Sequence, residues 1–339
     1  MSVLTFGASA TIGDLRYDQN ISEVQVSLAL APGIGSARIV LPRDLRVDAS
    51  PGDEVEVQLR GEAEDPVQVF TGTVQSVRRG MAQITVLCGD ATTALAAIRT
   101  GATFEQQSAS AVIESLAREA GISIGSVDVD LELATYVAHQ GRTALEHVST
   151  LSAWAGGVVS TNPEGAIEVR QFPSPPADTA LRYGREIAEL SVVTPARAAD
   201  VVFAGSGPAG SASAPDVRKL TTGIIPDGAP GPSGDAVRVA APALRTPGAA
   251  SGAAEAAAAR NGVPRLLARC WLVPSLRGGT TVEIADAPVG DAQGPWIITR
   301  VRHKVGPGAR GVTTFEASNM EASSGGLLGL LLGAIGSLL

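Results

Sequence analysis

Apolar and polar residues alternate in the first and last thirds of the chain, while a helical spacing governs the middle third. In residues 22–31 every second residue is apolar, a period of two that predicts a half-buried β-strand. The apolar set is Val24, Val26, Leu28 and Leu30. Turn-forming residues at 32–35 predict that 36–41 returns antiparallel. Further short strands up to residue 90 predict five or six antiparallel strands, and a small barrel would protect their edges.

The middle of the chain predicts a compact α+β module. Residues 108–120 form an amphipathic helical pattern in which Ser108 or Ser110 supplies the N-cap and Gly121 ends the helix. Residues 142–155 predict a second helix. A β-hairpin over 158–172 follows it, because Asn, Pro and Gly mark a turn at 162–165.

The last third returns to a strand pattern. Strands are predicted at 187–194, 199–204, 265–273, 282–284, 296–305 and 312–317. A short Ala-rich helix is predicted at 249–261, and a long loop rich in Gly, Pro and Ser at 205–234. The alternation in 296–305 places three cations on one face, opposite a mostly apolar set; they are Arg300, Arg302 and Lys304.

The three strands near the C-terminus repeat an earlier phrase of the chain. The paired segments are 55–57 with 282–284, 69–79 with 295–304, and 83–86 with 312–315. This weak echo predicts two copies of one small β unit, far apart in sequence.

Length and charge set the outer limits of the interpretation. A chain of 339 residues predicts two or three domains. We assign 1–100 and 179–320 to two β units, 101–178 to the α+β module and 321–339 to an apolar tail. The net charge of -8 argues against general nucleic-acid binding. An acidic front and a slightly basic back favour stacking against different partners, with a solvated surface as the alternative.

The residues that usually carry chemistry predict no active site. Cys88 and Cys270 stand in apolar runs and are predicted to be buried thiols, and the three histidines lack metal-ligand spacing. Residues 205–210 match G-x-G-x-x-G, but prolines interrupt the region and no βαβ unit surrounds it, so a loop is favoured over a cofactor site. We therefore predict no catalytic residue, no metal and no cofactor.

The segment 325–339 is apolar and glycine-rich. As a helix it would be about 22 Å long, short of the roughly 30 Å hydrocarbon layer of a membrane. Glycines recur every four residues, a spacing that allows close helix contact. We interpret the segment as a docking tail, with a disordered end and membrane insertion as alternatives. Its predicted docking residues are Gly325, Leu328, Gly329, Leu332, Gly333, Ile335 and Leu339. No secretory signal precedes the first strand, which predicts a cytoplasmic protein.

Four phrases in order carry a resemblance to a known family: 51–57, 69–74, Gln140 with 145–157, and 296–315. Together they resemble the late control protein D family of contractile-tailed phages. That family is related to baseplate hubs and to the hub portion of VgrG-type spikes. The resemblance implies a mainly β fold, with two tube-like antiparallel β-barrels separated by a small α+β module.

The resemblance also implies a function. Such a hub is a homotrimer whose six barrels match a sixfold inner tube protein on one side and a trimeric spike on the other. The chain has no needle repeat and no lysozyme insert. The resemblance therefore implies a separate spike protein and no enzymatic activity. Assembly would occur in the cytoplasm, among other baseplate components of a phage or, more in keeping with this chain, a phage-tail-like injection system.

Two alternatives come from other functional classes. One is a baseplate-associated cell-wall hydrolase that uses the 101–175 module, with Glu114 and Glu119 as its carboxylates. The other is a membrane-active component that acts through the apolar tail.

Overall fold

Strands make up most of the computed structural model. The structure describes residues 6–18, 20–61, 65–171, 179–196, 198, 201–205, 221–222, 237–307 and 310–319. The strands of the first third are β1 (Gly7–Ile12), β2 (Leu15–Tyr17), β3 (Glu23–Ala29), β4 (Ser36–Pro42), β5 (Glu54–Arg60), β6 (Val67–Arg79) and β7 (Gln83–Gly89).

Helices and short strands mix in the middle of the chain. They are α1 (Ala91–Ala97), β8 (Ala102–Ser108), α2 (Ala109–Glu119), β9 (Ile124–Val127), β10 (Glu132–Ala138), α3 (Ala144–Trp154), β11 (Gly157–Thr161) and β12 (Ile167–Gln171). Two small sheets, β10-β8 and β11-β12-β9, complete this α+β module. The expected class, mainly β with an α+β module, is confirmed.

The last third is again built mainly of strands. Its elements are β13 (Thr179–Arg182), β14 (Ile187–Val193), β15 (Val201–Gly205), β16 (Thr221–Thr222), β17 (Val237–Ala240), α4 (Pro247–Ala258), β18 (Arg265–Trp271), β19 (Thr281–Ala285), a 3-10 turn at Gly290–Ala292, β20 (Gly294–Gly306) and β21 (Arg310–Ser318).

One 13-stranded sheet contains the same strand order twice. The first unit runs β3-β4-β7-β6-β5-β1, with β2 beyond β1. The second runs β14-β18-β21-β20-β19-β13. Each strand also holds the same place along its part of the chain, from β1 and β13 to β7 and β21. The weak echo in the sequence therefore reflects two copies of one topology.

Strand register supports the duplication residue by residue. The β6–β7 ladder shifts between Val74 and Ser76, and the β20–β21 ladder shifts at the same place, between Ile298 and Arg300. Aligning the two bulges equates β6 with β20 at an offset of 224 residues, as the pairs Val74/Ile298 and Ser76/Arg300 show. The sequence-based match of 55–57 and 83–86 agrees with this register. The match of 69–79 with 295–304 is wrong by one or two residues, because neither strand marks its bulge with a distinctive residue.

The two units differ at one edge. β1 runs antiparallel to β5, but β13 runs parallel to β19. In the first unit β2 reverses the chain between β1 and β3. Residues 183–186 alone join β13 to β14 and leave no room for such a reversal. The second unit is therefore not wholly antiparallel, contrary to the expectation.

Two hydrophobic cores lie under the sheets. One is shared by both units of the large sheet and includes Phe70 and Trp296, whose side chains are fully buried. The Trp296 indole Nε1 also donates a hydrogen bond to the carbonyl oxygen of Ala292 at 2.9 Å. The other core joins the α+β module to α4. Each large apolar side chain buried in this way contributes roughly 1.5–3 kcal/mol.

The two predicted helices of the module are confirmed, and α2 has its predicted caps. The Ser108 hydroxyl accepts a hydrogen bond from the backbone N–H of Ala111 at 3.2 Å, and Gly121 follows α2 with a φ of +69°. Thr143 and Glu146 form a reciprocal capping box at the start of α3. This box explains why α3 begins at Ala144 rather than at residue 142.

Several elements were missed or shifted. α4 begins two residues before the predicted 249, because Thr246 caps it and Pro247 occupies its first turn. α1 is short and rich in Ala and Thr, so it shows no apolar stripe, and the sequence pattern does not reveal β8, β9 and β10 either.

Most of the G-x-G-x-x-G segment and the tail residues from Gly325 to Leu339 lie outside the described residues. No helix in the described part of the chain is long and apolar enough to cross a bilayer.

Candidate assembly interface

The two sheet units join where β3 pairs antiparallel with β20. The pairing runs from Arg300 opposite Ala29 to Val305 opposite Val24. Side chains from both strands are buried on its inner side: Val24, Val26, Leu28, Val301, His303 and Val305. The 22–31 alternation seen in the sequence therefore serves a contact between the copies, which no local signal in the sequence could identify.

His303 links this junction to the loop that leads into β19. Its side chain is fully buried. The Thr313 hydroxyl donates to Nδ1 at 2.9 Å, and Nε2–H donates to the Leu276 carbonyl oxygen at 3.0 Å. The backbone N–H of Val273 in turn donates to the Thr313 hydroxyl oxygen at 3.0 Å. Burial lowers the pKa of His303 to about 4, so the ring is neutral near pH 7.

The same loop contact occurs in the first unit. Arg79, the counterpart of His303, donates to the Ala49 carbonyl oxygen at 3.4 Å. Ala49 and Leu276 stand at the same distance, six residues, before the matched valines Val55 and Val282. The duplication therefore extends from the strands to a side chain that holds the preceding loop.

The outer face of the junction is charged. Arg300, Arg302 and Lys304 are exposed on this face, as the sequence predicted. The Lys304 ammonium lies 2.9 Å from a carboxylate oxygen of Glu23, so an ion pair bridges the two units. Glu23 also pairs with Arg38 on β4. Such exposed pairs contribute on the order of 0–1 kcal/mol, so the buried face dominates the contact.

The α+β module contacts both copies. The hydroxyl of Thr71, on β6, donates to the Pro163 carbonyl oxygen at 2.7 Å. Arg260, just after α4, donates to the carbonyl oxygens of Ala153 at 3.1 Å and Gly157 at 2.9 Å. Burial lowers the pKa of Arg260 from its usual value. These bonds hold the module against segments from both units.

A cavity of about 560 Å³ lies between β10, α3 and the segment 239–245. Tyr136 donates its hydroxyl proton to Nδ1 of His147 at 2.7 Å, and Nε2–H of His147 donates to the His139 carbonyl oxygen at 3.1 Å. Burial raises the pKa of Tyr136 to about 12 and lowers the pKa of His147. Both side chains are therefore hydrogen-bonded to partners within the protein. Trp154 is half-buried and lines this cavity.

The two cysteines and the two α2 carboxylates are the other side chains that the sequence marked for possible chemistry. Cys88 and Cys270 are free, buried thiols, as expected, and burial raises the pKa of each to about 12. Glu114 is half-buried and Glu119 exposed on α2. The described residues contain no cluster of His, Cys, Asp or Glu that could hold a metal ion.

The structure thus defines the architecture of the chain. It contains one sheet unit twice, its two copies are joined by strand pairing, and an α+β module lies between them in the sequence. No protein-family model matches the sequence, and no curated protein matches it. Solved structures do share the fold.

Three of these structures cover nearly the whole chain. A tail protein from Neisseria meningitidis MC58 is 14% identical, with a TM-score of 0.71, over 93% of this chain and 97% of that one. The 43 kDa tail protein of prophage MuSo2 from Shewanella oneidensis is 16% identical, with a TM-score of 0.67, over 94% and 99%.

The third is an E. coli component of the type VI secretion system, described as structurally similar to the T4 bacteriophage tail proteins gp27 and gp5. It is 12% identical, with a TM-score of 0.60, over 91% of this chain and 76% of that one. The mainly β fold with an α+β module, which the resemblance to phage hub proteins implied, is therefore confirmed, although the second unit includes one parallel strand pair.

Proposed function

We propose that this chain is a structural hub in the baseplate of a contractile phage tail or a phage-tail-like injection system. Three copies would form a ring that joins a sixfold inner tube to a separate trimeric spike. The observation that carries the proposal is the duplicated unit: one chain contributes two sheet units with the same strand order and the same bulge. Three chains then present six similar units. Six similar units suit a sixfold inner tube, because equivalent contacts need equivalent surfaces.

Two further observations support this function. Three of the structures that share the fold are phage tail or type VI secretion proteins. The two cysteines are buried, and the Tyr136 hydroxyl is hydrogen-bonded to His147. Both observations support a role as a scaffold, and we propose that the chain has no enzymatic activity.

The native mass of the purified chain tests the trimer. Light scattering should give three times the 34.4 kDa chain mass, and electron micrographs should show rings with six lobes. A chain that stays monomeric at assembly concentrations would contradict the proposal.

The tail bears on the partners rather than on the ring. We expect deletion of 321–339 to leave the native mass unchanged and to weaken binding to a spike or inner tube protein, since the apolar docking residues would be lost. Co-purification with the neighbouring baseplate proteins measures this effect. Liposome binding that disappears with the deletion would instead support the membrane-active alternative.

A further inference from the structure

Two strand edges of the large sheet correspond to the edges that meet inside the chain. β14 is the counterpart of β3, and residues 76–79 of β6 are the counterpart of 300–303 of β20. β3 and β20 pair with each other, whereas β14 ends the sheet and 76–79 pair only with β7 among the described strands. Unpaired strand edges readily take up another strand.

The register of a pairing between these two unpaired edges can be derived from the β3–β20 pairing. Val24 lies opposite Ile39, and Leu190 opposite Ala268; Ile39 and Ala268 in turn face the matched residues Val86 and Phe315. Val24 therefore corresponds to Leu190. Arg302 opposite Ser27 then corresponds to Arg78 opposite Val193, and His303 opposite Val26 to Arg79 opposite Val192.

Side chains are more deeply buried at the β3–β20 junction than at the two unpaired edges. The inward side chains of β3 and β20 are buried, but their counterparts Leu190, Val192 and Val77 are only half-buried. Val193, on the outer face of β14, is 50% exposed. A strand added at each edge would cover the apolar side chains that the present chain leaves accessible.

We propose that residues 192–195, at the C-terminal end of β14 in one chain, pair antiparallel with residues 76–79 of β6 in a second copy, reproducing between chains the β3–β20 junction. This inference rests on the proposed trimer and specifies its interface. The contact is heterologous, since two different edges meet, so repetition closes a ring when the rotation permits. A ring of three chains holds six such junctions, three inside chains and three between them.

One property of the new junction differs from the closed one. Gly80 stands where β20 carries Lys304, so the ion pair to Glu23 has no counterpart at Glu189. The hairpin after β6 is also shorter, because Arg79 pairs with Ile84 only five residues later, whereas His303 pairs with Thr313. Apolar burial and backbone pairing thus hold the contact between chains, which should tolerate salt.

Cysteine cross-linking tests the register. In the β3–β20 ladder, Leu30 N–H bonds to the Thr299 carbonyl, so Arg302 and Ser27 form a non-hydrogen-bonded pair. Such pairs lie about 4.5 Å apart between Cα atoms, which suits a disulfide. We therefore expect the double variant Arg78→Cys, Val193→Cys to oxidise into a covalent ladder that ends at three chains. The native thiols are buried and should stay silent.

Matched variants make the result decisive. The pair Arg302→Cys, Ser27→Cys should form a disulfide within one chain and leave the mass on a non-reducing gel unchanged. Arg78→Cys or Val193→Cys alone should give no cross-link, because the contact is heterologous. A cross-linked dimer from either single variant would overturn the inference.

The failures of the two proposals differ. A native trimer whose 78–193 pair stays reduced, while the 302–27 pair oxidises, overturns the proposed edges and keeps the hub. A ladder that extends past three chains keeps the edges and overturns the trimer. A monomer with no cross-link overturns both.

Discussion

At the scale of single residues, His303 shows how one buried ring fixes a junction. Both ring nitrogens have protein partners, so the neutral form suits the site and the charged form does not. Its pKa of about 4 lies below the roughly 6.5 of an unfolded histidine. Between these values the unfolded chain binds the proton and the folded chain does not, so the free energy of unfolding falls as the pH falls.

We expect His303→Asn to remove this pH dependence. From pH 6.5 to about pH 4 the parent protein should lose up to roughly 3 kcal/mol more than the variant, and the difference should level off below pH 4. Urea unfolding at a series of pH values measures both slopes, and the carboxylates common to both proteins cancel in the comparison. Identical slopes would show that His303 does not carry the proton linkage.

Only some of these residue-level features could be predicted from the sequence. Burial of Cys88 and Cys270 followed from their apolar surroundings. The Tyr136–His147 bond did not, because it joins a strand to a helix and depends on how they pack. Gly72 is another such case: a Cβ there would lie 2.2 Å from the Gly89 carbonyl oxygen, a limit set by the neighbouring strand.

At the scale of elements, Asp90 connects three segments at the end of β7. One carboxylate oxygen caps α1 by accepting from the Thr92 backbone N–H at 3.0 Å. The other accepts from the Thr161 hydroxyl, at the end of β11, at 2.9 Å. The Thr92 hydroxyl oxygen also accepts from the backbone N–H of Gly35, between β3 and β4, at 3.0 Å. A single buried carboxylate thus joins the first sheet unit to the module.

Asp90→Ala should lower the free energy of unfolding by about 2–3 kcal/mol, since it removes a helix cap and leaves buried donors without a partner. Asp90→Asn keeps an oxygen for the cap and should lose about 1 kcal/mol or less. Urea midpoints compare the two, and hydrogen exchange should localise the loss to α1 and β11. Equal losses in the two variants would contradict the role of the cap.

Elements with strong local signals were predictable, and those defined by distant partners were not. α2 and α3 carry caps and apolar stripes, so their existence and approximate limits could be read from the sequence. β13 could not, because its direction depends on the short connection to β14. The β3–β20 pairing joins residues more than 270 positions apart, and only the shared alternation of the two strands hints at it.

At the scale of the whole molecule, the two units form one continuous sheet rather than two independent domains joined by a linker. They share a ladder, a core and an ion pair. The connection through 172–178 should therefore be dispensable for holding them together.

Cleavage at a protease site introduced within 172–178 should leave the two pieces associated. Size exclusion in native buffer should give a single species of unchanged mass, and urea should separate the pieces. The same site placed in the tail after residue 321 provides a control for the effect of the insertion. Pieces that part in native buffer would show that the β3–β20 ladder is too weak to hold the units without the covalent link.

The two insertions into the duplicated plan meet in one place. The module after β7 and the segment after β14 share a core, and Trp154 contacts Phe203 edge to face with ring centroids 6.4 Å apart. Each chain thus carries a single lateral body for every two sheet units. In a closed ring of three, a ligand that touches only the sheet units meets the same surface every sixth of a turn. A ligand that also contacts the lateral bodies meets an equivalent surface only every third of a turn. The same ring would therefore offer sixfold symmetry to one neighbour and threefold symmetry to another.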